Sequence, residues 1–361
     1  INQTEGEIIM NQDGIENDKL IRDRQLIINK LKKYNFKECF SLHNNSFWHV
    51  IENDFFKIIN TKIEDGIKII NTMEQVFKNK NVKEVVIWSE NGFSEQVTIE
   101  LAKKKNISIS LIQHGIIVDQ DNERNNKFNR FSGVIPSKSD KYLVWNKLTR
   151  DYIRALGFPT RKIFEIGNSN FDNLIIDEKY LEKNYILLAT TAPIKNQHAG
   201  YNSKLLEKYE QELSEMCKKI KSVNKKLIVR PHPFSQEFEI GKIVQDAYPD
   251  ATIDKKTDIV TLIKNSSVVV SFGISTIIFD AHVLEKPVFF IESEHDMFGI
   301  PKYLEKNPES IIKFNDIEHH ISKIYEDNSY RNSIIKMNSE IISDEFFNLG
   351  QSALSFLKLY E

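Results

Sequence analysis

The chain has 361 residues with 49 Lys+Arg against 51 Asp+Glu, 40% hydrophobic and 28% charged, the balance of a folded chain of about two domains. A net charge of −2 gives no bulk electrostatic reason for a nucleic-acid partner. Two cysteines, Cys39 and Cys217, are too few for a disulfide framework or a cysteine zinc site, so a reducing cytoplasm is expected.

The first 80 residues read as helices, with Leu20, Ile21, Leu26, Ile27, Ile28 and Leu31, then Ile58, Ile59, Ile63, Ile67, Ile70 and Met73, at near-helical spacing. Glu84 to Trp88 is a short β-branched run of buried-strand type, Ser94 to Lys105 an amphipathic helix, and Ile107 to Ile112 a second strand. This β-α-β unit implies a parallel pair with a right-handed crossover. Asp119 to Asp140 is a polar stretch, long for a connection and therefore functional or mobile. Lys141 to Trp145 is a strand, Leu148 to Leu156 a helix closed by Gly157 and Pro159, and Lys162 to Ile166 a fourth strand.

A linker-like segment, Asn170 to Asn184, separates these elements from a second alternation. Its strands are Tyr185 to Ala189, Lys226 to Val229, Val268 to Val270 and Val288 to Ile291. Its helices are Ser203 to Ile220, Asp258 to Lys264 and Thr276 to Leu284. From Ile317 the tail reads as helical to the end, and Asn265 to Phe279, 15 uncharged residues, is a buried core segment rather than a membrane span. The fold expected is α/β, with two Rossmann-like domains and mostly parallel sheets. The N-terminal sheet is thin and the first residue is Ile1, so the chain is expected to be part of a longer one without a visible signal peptide.

Parallel sheets bind ligands at the carboxyl ends of their strands, and polar groups recur there: Glu90, His114, Arg230-Pro231-His232-Pro233, Gly273-Ile274-Ser275-Thr276 and Glu292-Ser293-Glu294. Gly273 permits a tight strand-to-helix turn. Ser275 or Thr276 either caps the helix or, with the free first-turn N–H groups, holds a phosphate. The two prolines keep Arg230 and His232 extended, so that a positioned imidazole and guanidinium could neutralise a diphosphate; the plain alternative is a turn with an exposed histidine. His114 is a general base or oxyanion partner, or a structural histidine. Glu90 is the rival base, or else a solvated turn residue or a helix-start acid, and Asp280 bonds a nucleotide or anchors its helix. No dinucleotide fingerprint, Walker loop, nucleophile elbow or metal-ligand spacing is present, and His319-His320 reads as solvated.

Taken in order, these motifs resemble the GT-B-fold surface-polysaccharide transferases: the CDP-glycerol glycerophosphotransferases of teichoic-acid synthesis, with the capsule Kdo transferases and polysialyltransferases nearby. The resemblance rests on Leu111 to Gly115, Leu227 to Pro233, and Val269 to Asp280 followed by Glu285-Lys286-Pro287-Val288. Tyr142 to Trp145, Lys162 to Gly167 and Asp172 match more weakly. Ile116 stands where the teichoic-acid enzymes usually have Thr. The resemblance implies a metal-independent transferase without a cofactor, moving a sugar or polyol phosphate from a CMP-, CDP- or UDP-activated donor to a cell-surface glycan or lipid-linked acceptor. It implies domains 1–170 (acceptor side) and 171–340 (donor-binding), facing across a cleft, and a C-terminal helix 341–361 packing back toward the first. His232, Ser275 and Thr276 would hold the donor phosphates, and His114 would take part in catalysis. Lipid-linked acceptors and the basic residues between Arg124 and Arg150 raise peripheral contact with the inner membrane face. A non-hydrolysing UDP-sugar 2-epimerase shares this fold but usually shows a Ser-Gly-Gly element and paired Glu residues; a non-catalytic glycan-binding scaffold is the remaining alternative.

Overall fold

Strands that are apolar on both faces need cover on both faces, and this requirement organises the larger part of the chain. The computed structural model describes residues 18–120, 122–175, 182–191, 203–233, 240–292 and 299–361. Two compact units divide it, one reaching to Leu111 and including Pro136–Asp140, the other comprising Ile112–Ile135 and Lys141–Glu361.

In the first unit, helices α1 (Asp18–Leu31) and α2 (Trp48–Asn79) flank a small antiparallel hairpin, β1 (Ser41–Leu42) and β2 (Asn45–Ser46). Periodicity misses the hairpin because the two-residue turn alone makes it: His43 and Asn44 both take positive φ, 49° and 65°. Phe36 and Phe40 stack on Trp48, with ring centroids 5.0 and 5.3 Å apart, and Phe55 closes the cluster. Strand β3 (Glu84–Ile87), helix α3 (Phe93–Lys104) and strand β4 (Ser108–Ile112) form the expected β-α-β unit, with Glu84 opposite Ser108 in parallel register.

The second unit opens with α4 (Glu123–Phe131), inside the polar stretch expected as a connection. Its sequence has no apolar stripe; Asn122 caps it by accepting from Asn125 N, and buried Asn129 donates to Val118 O and Tyr152 Oη, both at 2.9 Å. Strand β5 (Lys141–Val144), helix α5 (Lys147–Ala155), strand β6 (Ile163–Glu165) and helix α6 (Ser169–Leu174) follow, with β5 and β6 parallel. Helix α6 occupies the start of the linker-like segment, and residues 176–181 lie outside the described set.

The remaining strands are β7 (Tyr185–Thr190), β8 (Lys226–Pro231), β9 (Thr252–Ile253), β10 (Val268–Phe272), β11 (Val288–Glu292) and β12 (Ile311–Lys313). They form one parallel sheet in the order β12-β11-β10-β7-β8-β9. Alternate residues of each strand feed opposite cores. Ile186, Leu188, Leu227, Val229, Val270 and Phe272 pack with α7 (Ser203–Ser222), α8 (Ile240–Ala247) and α12 (Ile317–Glu326). Tyr185, Leu187, Val269 and Phe290 pack with α9 (Ile259–Asn265), α10 (Ile277–Val283), α11 (Lys302–Glu305) and α13 (Asn328–Glu345). Strands β9 and β12, and helices α8 and α11, are too short for sequence periodicity to register. The α/β class with parallel sheets is as expected.

The C-terminal segment packs back as expected. Phe347 N donates to Trp145 O at 3.0 Å, and Asn348 Nδ2 donates to Glu165 O at 2.7 Å. Asp172 accepts from Ser352 N and Ala353 N, at 3.0 and 2.8 Å, and so caps α14 (Ser352–Lys358) from a distant helix. Gly167 lies beneath this segment at φ +79°, where a Cβ would collide with Phe347 O and Ser352 Oγ. Gly167→Ala is therefore expected to destabilise the protein by at least about 1–2 kcal/mol, measured by urea denaturation.

Candidate functional site

Backbone hydrogen bonding continues past the ends of β8, β7 and β10, and it brings the predicted donor-binding residues to one sheet edge. His232 N donates to Thr190 O at 3.0 Å, and Thr191 N donates to Phe272 O at 2.9 Å. Gly273 follows directly, at φ +93°; a Cβ there would lie 3.0 Å from both Cβ and O of Thr191. The turn thus needs glycine twice over, for its backbone conformation and for its approach to Thr191. Ser271 Oγ donates to Gly273 O at 2.9 Å and braces the same turn.

Helix α10 starts after this turn. Ser275 is half-buried and accepts a long bond from Ile277 N at 3.5 Å, while Thr276 is exposed and makes no side-chain capping bond. His232 is half-buried, and burial pushes its imidazole below the ordinary range, so it is neutral at pH 7. Pro233 is exposed in the turn beyond it, and residues 234–239 lie outside the described set, as do Ser293 and Glu294. Asp280 stands on the first turn of α10. Burial, and secondarily the Asp258 carboxylate, push it up to about 7.

His114 belongs to the same unit. Gln113 holds its turn: Oε1 accepts from Trp145 N at 2.8 Å, Nε2 donates to Gly115 O at 3.1 Å, and the backbone N donates to Leu143 O at 2.9 Å. The His114 side chain is exposed, and a Cβ on Gly115 would lie 3.9 Å from Thr276 Cγ2, so the His-Gly turn abuts the start of α10. The chain beyond is tied to the same half: Asp119 Oδ1 accepts from Lys302 N at 2.9 Å, and Gln120 Nε2 donates to Ile300 O at 2.7 Å.

Two predicted residues have other occupations. Arg230 Nη1 donates to Asp254 O and Thr257 O, at 3.1 and 3.0 Å, and so holds the turn after β9 rather than facing the His232 edge. Glu90, in the first unit, is 1% exposed and anchors the 137–139 turn rather than being solvated. Its Oε1 accepts from Lys138 N and Ser139 N, and its Oε2 from Ser137 N, Ser137 Oγ and Lys138 N. Desolvation of this carboxylate is the largest single influence and raises its pKa, yet the bonds from Ser137 and Ser139 together outweigh it and hold the group below the usual range. Charged hydrogen bonds are worth about 1.5–3 kcal/mol each, enough in number to offset a burial cost of several kcal/mol.

Sequence reasoning passed over Thr190 and Thr191 at the end of β7, which the strand-end rule would have found had it been applied there. Thr191 Oγ1 is buried without a hydrogen-bond partner among the described residues. His320, read as solvated, is half-buried with Nδ1 2.7 Å from Tyr330 Oη. Among the described residues no group of three or more His, Cys, Asp or Glu side chains is placed to hold a metal ion.

No protein-family model matches the chain, and no curated protein does. Solved structures share its fold. They include UDP-GlcNAc 2-epimerase from Neisseria meningitidis bound to UDP-GlcNAc, with TM-score 0.56, 13% identity, and 96% of this chain and 89% of that one covered. The Staphylococcus aureus MnaA–UDP complex has TM-score 0.56 at 13% identity, covering 82% and 79%. A mutant of S. aureus TarM in complex with fondaparinux, α-GlcNAc-glycerol and UDP has TM-score 0.52 at 15% identity, covering 81% and 59%. The fold is thus the GT-B-like one common to these epimerases and glycosyltransferases.

Two of the perturbed carboxylates, Glu90 and Asp280, have opposite consequences. Glu90, held below its unfolded value, stabilises the fold above that value and loses the effect as pH falls through the folded one. Glu90→Gln should cost about 2 kcal/mol at pH 7, with the gap to wild type closing in acid. Asp280, raised to about 7, lowers stability as pH rises from about 4 through 7. Asp280→Asn should match wild type near pH 4 and exceed it at pH 8. Denaturation curves across this range check both, and parallel pH profiles would contradict them.

Proposed function

We propose that the protein is a GT-B-type glycosyltransferase. It moves a glycosyl group, or in the related reading a polyol phosphate, from a nucleotide-activated donor to a cell-surface glycan or lipid-linked acceptor. The observation that carries this reading is the single edge formed by Thr190, Thr191, His232, Gly273 and the start of α10, with the His-Gly turn against Thr276. A neutral imidazole N–H and first-turn backbone N–H groups are donors suited to a diphosphate. The UDP or UDP-GlcNAc in the three structures above supports a uridine nucleotide as the first donor to test.

In this reading His232, Ser275, Thr276 and the α10 N–H groups hold the donor phosphates, and Asp280 bonds the nucleoside. His114 takes the proton from the acceptor hydroxyl as that oxygen bonds to the anomeric carbon. The carbon–oxygen bond to the diphosphate breaks, and the nucleoside diphosphate leaves with its charge spread over these donors. His114 is preferred to Glu90 as base because both oxygens of Glu90 already accept at least two bonds each and its pKa is lowered. Arg230 then acts by bracing the turn beyond β9. No cofactor enters this scheme, and the charge on the leaving group is met by protein donors. A lipid-linked acceptor would place the enzyme on the cytoplasmic face of the membrane. Among the described residues no helix is long and apolar enough to cross one.

A second reading, UDP-sugar 2-epimerase, is favoured by the coverage of 96% of this chain in the match to the Neisseria enzyme. Conversion of UDP-GlcNAc to its 2-epimer without any acceptor would establish it. Calorimetric titration with CMP, CDP, UDP, GDP and dTDP tests the shared nucleotide site, with UDP expected to bind. Binding a phosphate beside a depressed imidazole should draw a proton onto His232, so the UDP binding enthalpy should vary with the buffer's ionisation enthalpy. His232→Ala should abolish that uptake and weaken binding at least tenfold, about 1.4 kcal/mol. Failure of every nucleotide to bind would overturn both readings.

A further inference from the structure

Between the end of α1 and the first turn of α2, Tyr34, Leu42, Phe47 and Val50 stand exposed, Leu42 at 66% and Val50 at 67%. They continue an ordered aromatic base in the first unit. Tyr34 meets Phe36 with ring centroids 6.3 Å apart, and Phe47 meets Phe40 edge-on at 6.0 Å. Phe36 and Phe40 in turn stack on Trp48, against which Phe55 and Phe56 close edge-on. Phe47 N donates to Phe40 O at 2.9 Å and fixes the hairpin on this base. Ser41 to Asn45 are all exposed, so the hairpin projects into solvent.

The same segment is basic in a chain of net charge −2. Residues 30–50 hold Lys30, Lys32, Lys33 and Lys37 against one carboxylate, Glu38. All four lysines are exposed, and among the described residues Lys30, Lys33 and Lys37 enter no ion pair. Lys32 Nζ lies 5.8 Å from the centre of the Phe56 ring, so one ammonium already sits at the rim of the aromatic base. Asp54, four residues on from Val50, interrupts the apolar surface of α2 and confines a contact to the hairpin and the first turn. A loop that faced only water would gain nothing from these apolar side chains. A second copy of the same face would set lysine against lysine. An anionic bilayer meets every feature: aliphatic tips enter its interfacial layer, aromatic rings sit at headgroup depth, and lysines reach the lipid phosphates.

We propose that the α1–α2 hairpin is a docking tip for anionic lipid bilayers, with Leu42, Phe47 and Val50 entering the interface and Lys30, Lys33 and Lys37 on the phosphates. The lipid contact stands on the hairpin alone; it rests on the transferase reading only in serving a lipid-linked acceptor. It lies in the first unit rather than on the basic residues between Arg124 and Arg150. Few side chains insert and charge supplies the rest of the attraction, so the contact is reversible and salt-sensitive.

Sedimentation with vesicles of phosphatidylcholine, alone or mixed two to one with phosphatidylglycerol, tests this in about 0.1 M salt. Binding should be at least tenfold tighter to the mixed vesicles and should fall at least tenfold in about 0.5 M salt. Cys39 lies in the same connection and is exposed, whereas Cys217 is buried, so a polarity-sensitive thiol label attaches at Cys39 without any substitution. Its emission should shift to the blue when mixed vesicles are added. Leu42→Ser with Val50→Ser, and separately Lys33→Gln with Lys37→Gln, should each weaken vesicle binding at least tenfold. All four positions are exposed, so thermal melting and UDP titration should match wild type. Lys127→Gln with Arg130→Gln, on α4, should leave vesicle binding unchanged. Absence of binding to the mixed vesicles, binding that survives both hairpin variants, or an unshifted Cys39 label would overturn the docking tip. So would a loss confined to the α4 variant. Vesicle binding as expected with failure of UDP to bind would support the tip and count against the nucleotide reading alone.

Discussion

The parallel ladder β8-β7-β10 is the constraint on which the rest of the candidate site depends. Each strand must satisfy its backbone groups through its neighbours, and here the pairing runs beyond the strand ends, through His232 N to Thr190 O and Thr191 N to Phe272 O. That continuation brings three chain segments far apart in sequence to the same edge. It also forces the chain after Phe272 to turn at once against Thr191, which glycine at φ +93° allows. The first turn of α10 follows from that turn, and with it the group of N–H donors that a phosphate would use.

The polar residues read as site candidates in the two units divide into buried groups that hold turns and groups that present surface. Glu90 accepts bonds from three consecutive residues, Arg230 spans two carbonyls, and Gln113 is bonded at both ends of its amide. Redirecting any of them would leave buried partners unmet, at about 1–3 kcal/mol each. They are therefore the groups that hold turns in place. His114 and Thr276 present exposed side chains, and His232 is half-buried with a depressed pKa. These are the groups with surface to offer a substrate. The division also accounts for Asp280, whose carboxyl is raised because burial and the Asp258 charge meet no compensating donor among the described residues.

How far the site was legible follows from the same physics. The strand-end rule finds His114, His232 and the Gly273–Thr276 turn because strand periodicity is a local property and the residue after a buried strand must leave the sheet. The rule cannot tell a presented side chain from an engaged one. Arg230 and His232 are two residues apart on an extended backbone, so their side chains start on the same face of the strand. Their different occupations come from the 254–257 turn, which lies more than twenty residues downstream. Glu90 likewise looks like an open acid in sequence, because its partners at 137–139 are nearly fifty residues away. Helix α4 was hidden for another reason: buried asparagines rather than an apolar stripe hold it, and hydrophobic periodicity has nothing to detect.

By itself the amino-acid sequence determined the α/β class, the order of the main strands and helices, and the short list of polar residues at strand ends. Each depends on patterns within a few residues: alternation, 3.6-residue spacing, and glycine or proline at the breaks. Tertiary structure decided the sheet order, the packing of the C-terminal helix on Asp172, and which polar groups are engaged and which presented. Those depend on which distant segments meet, and the free energy of a buried hydrogen bond or an empty volume exists only once both sides are in place.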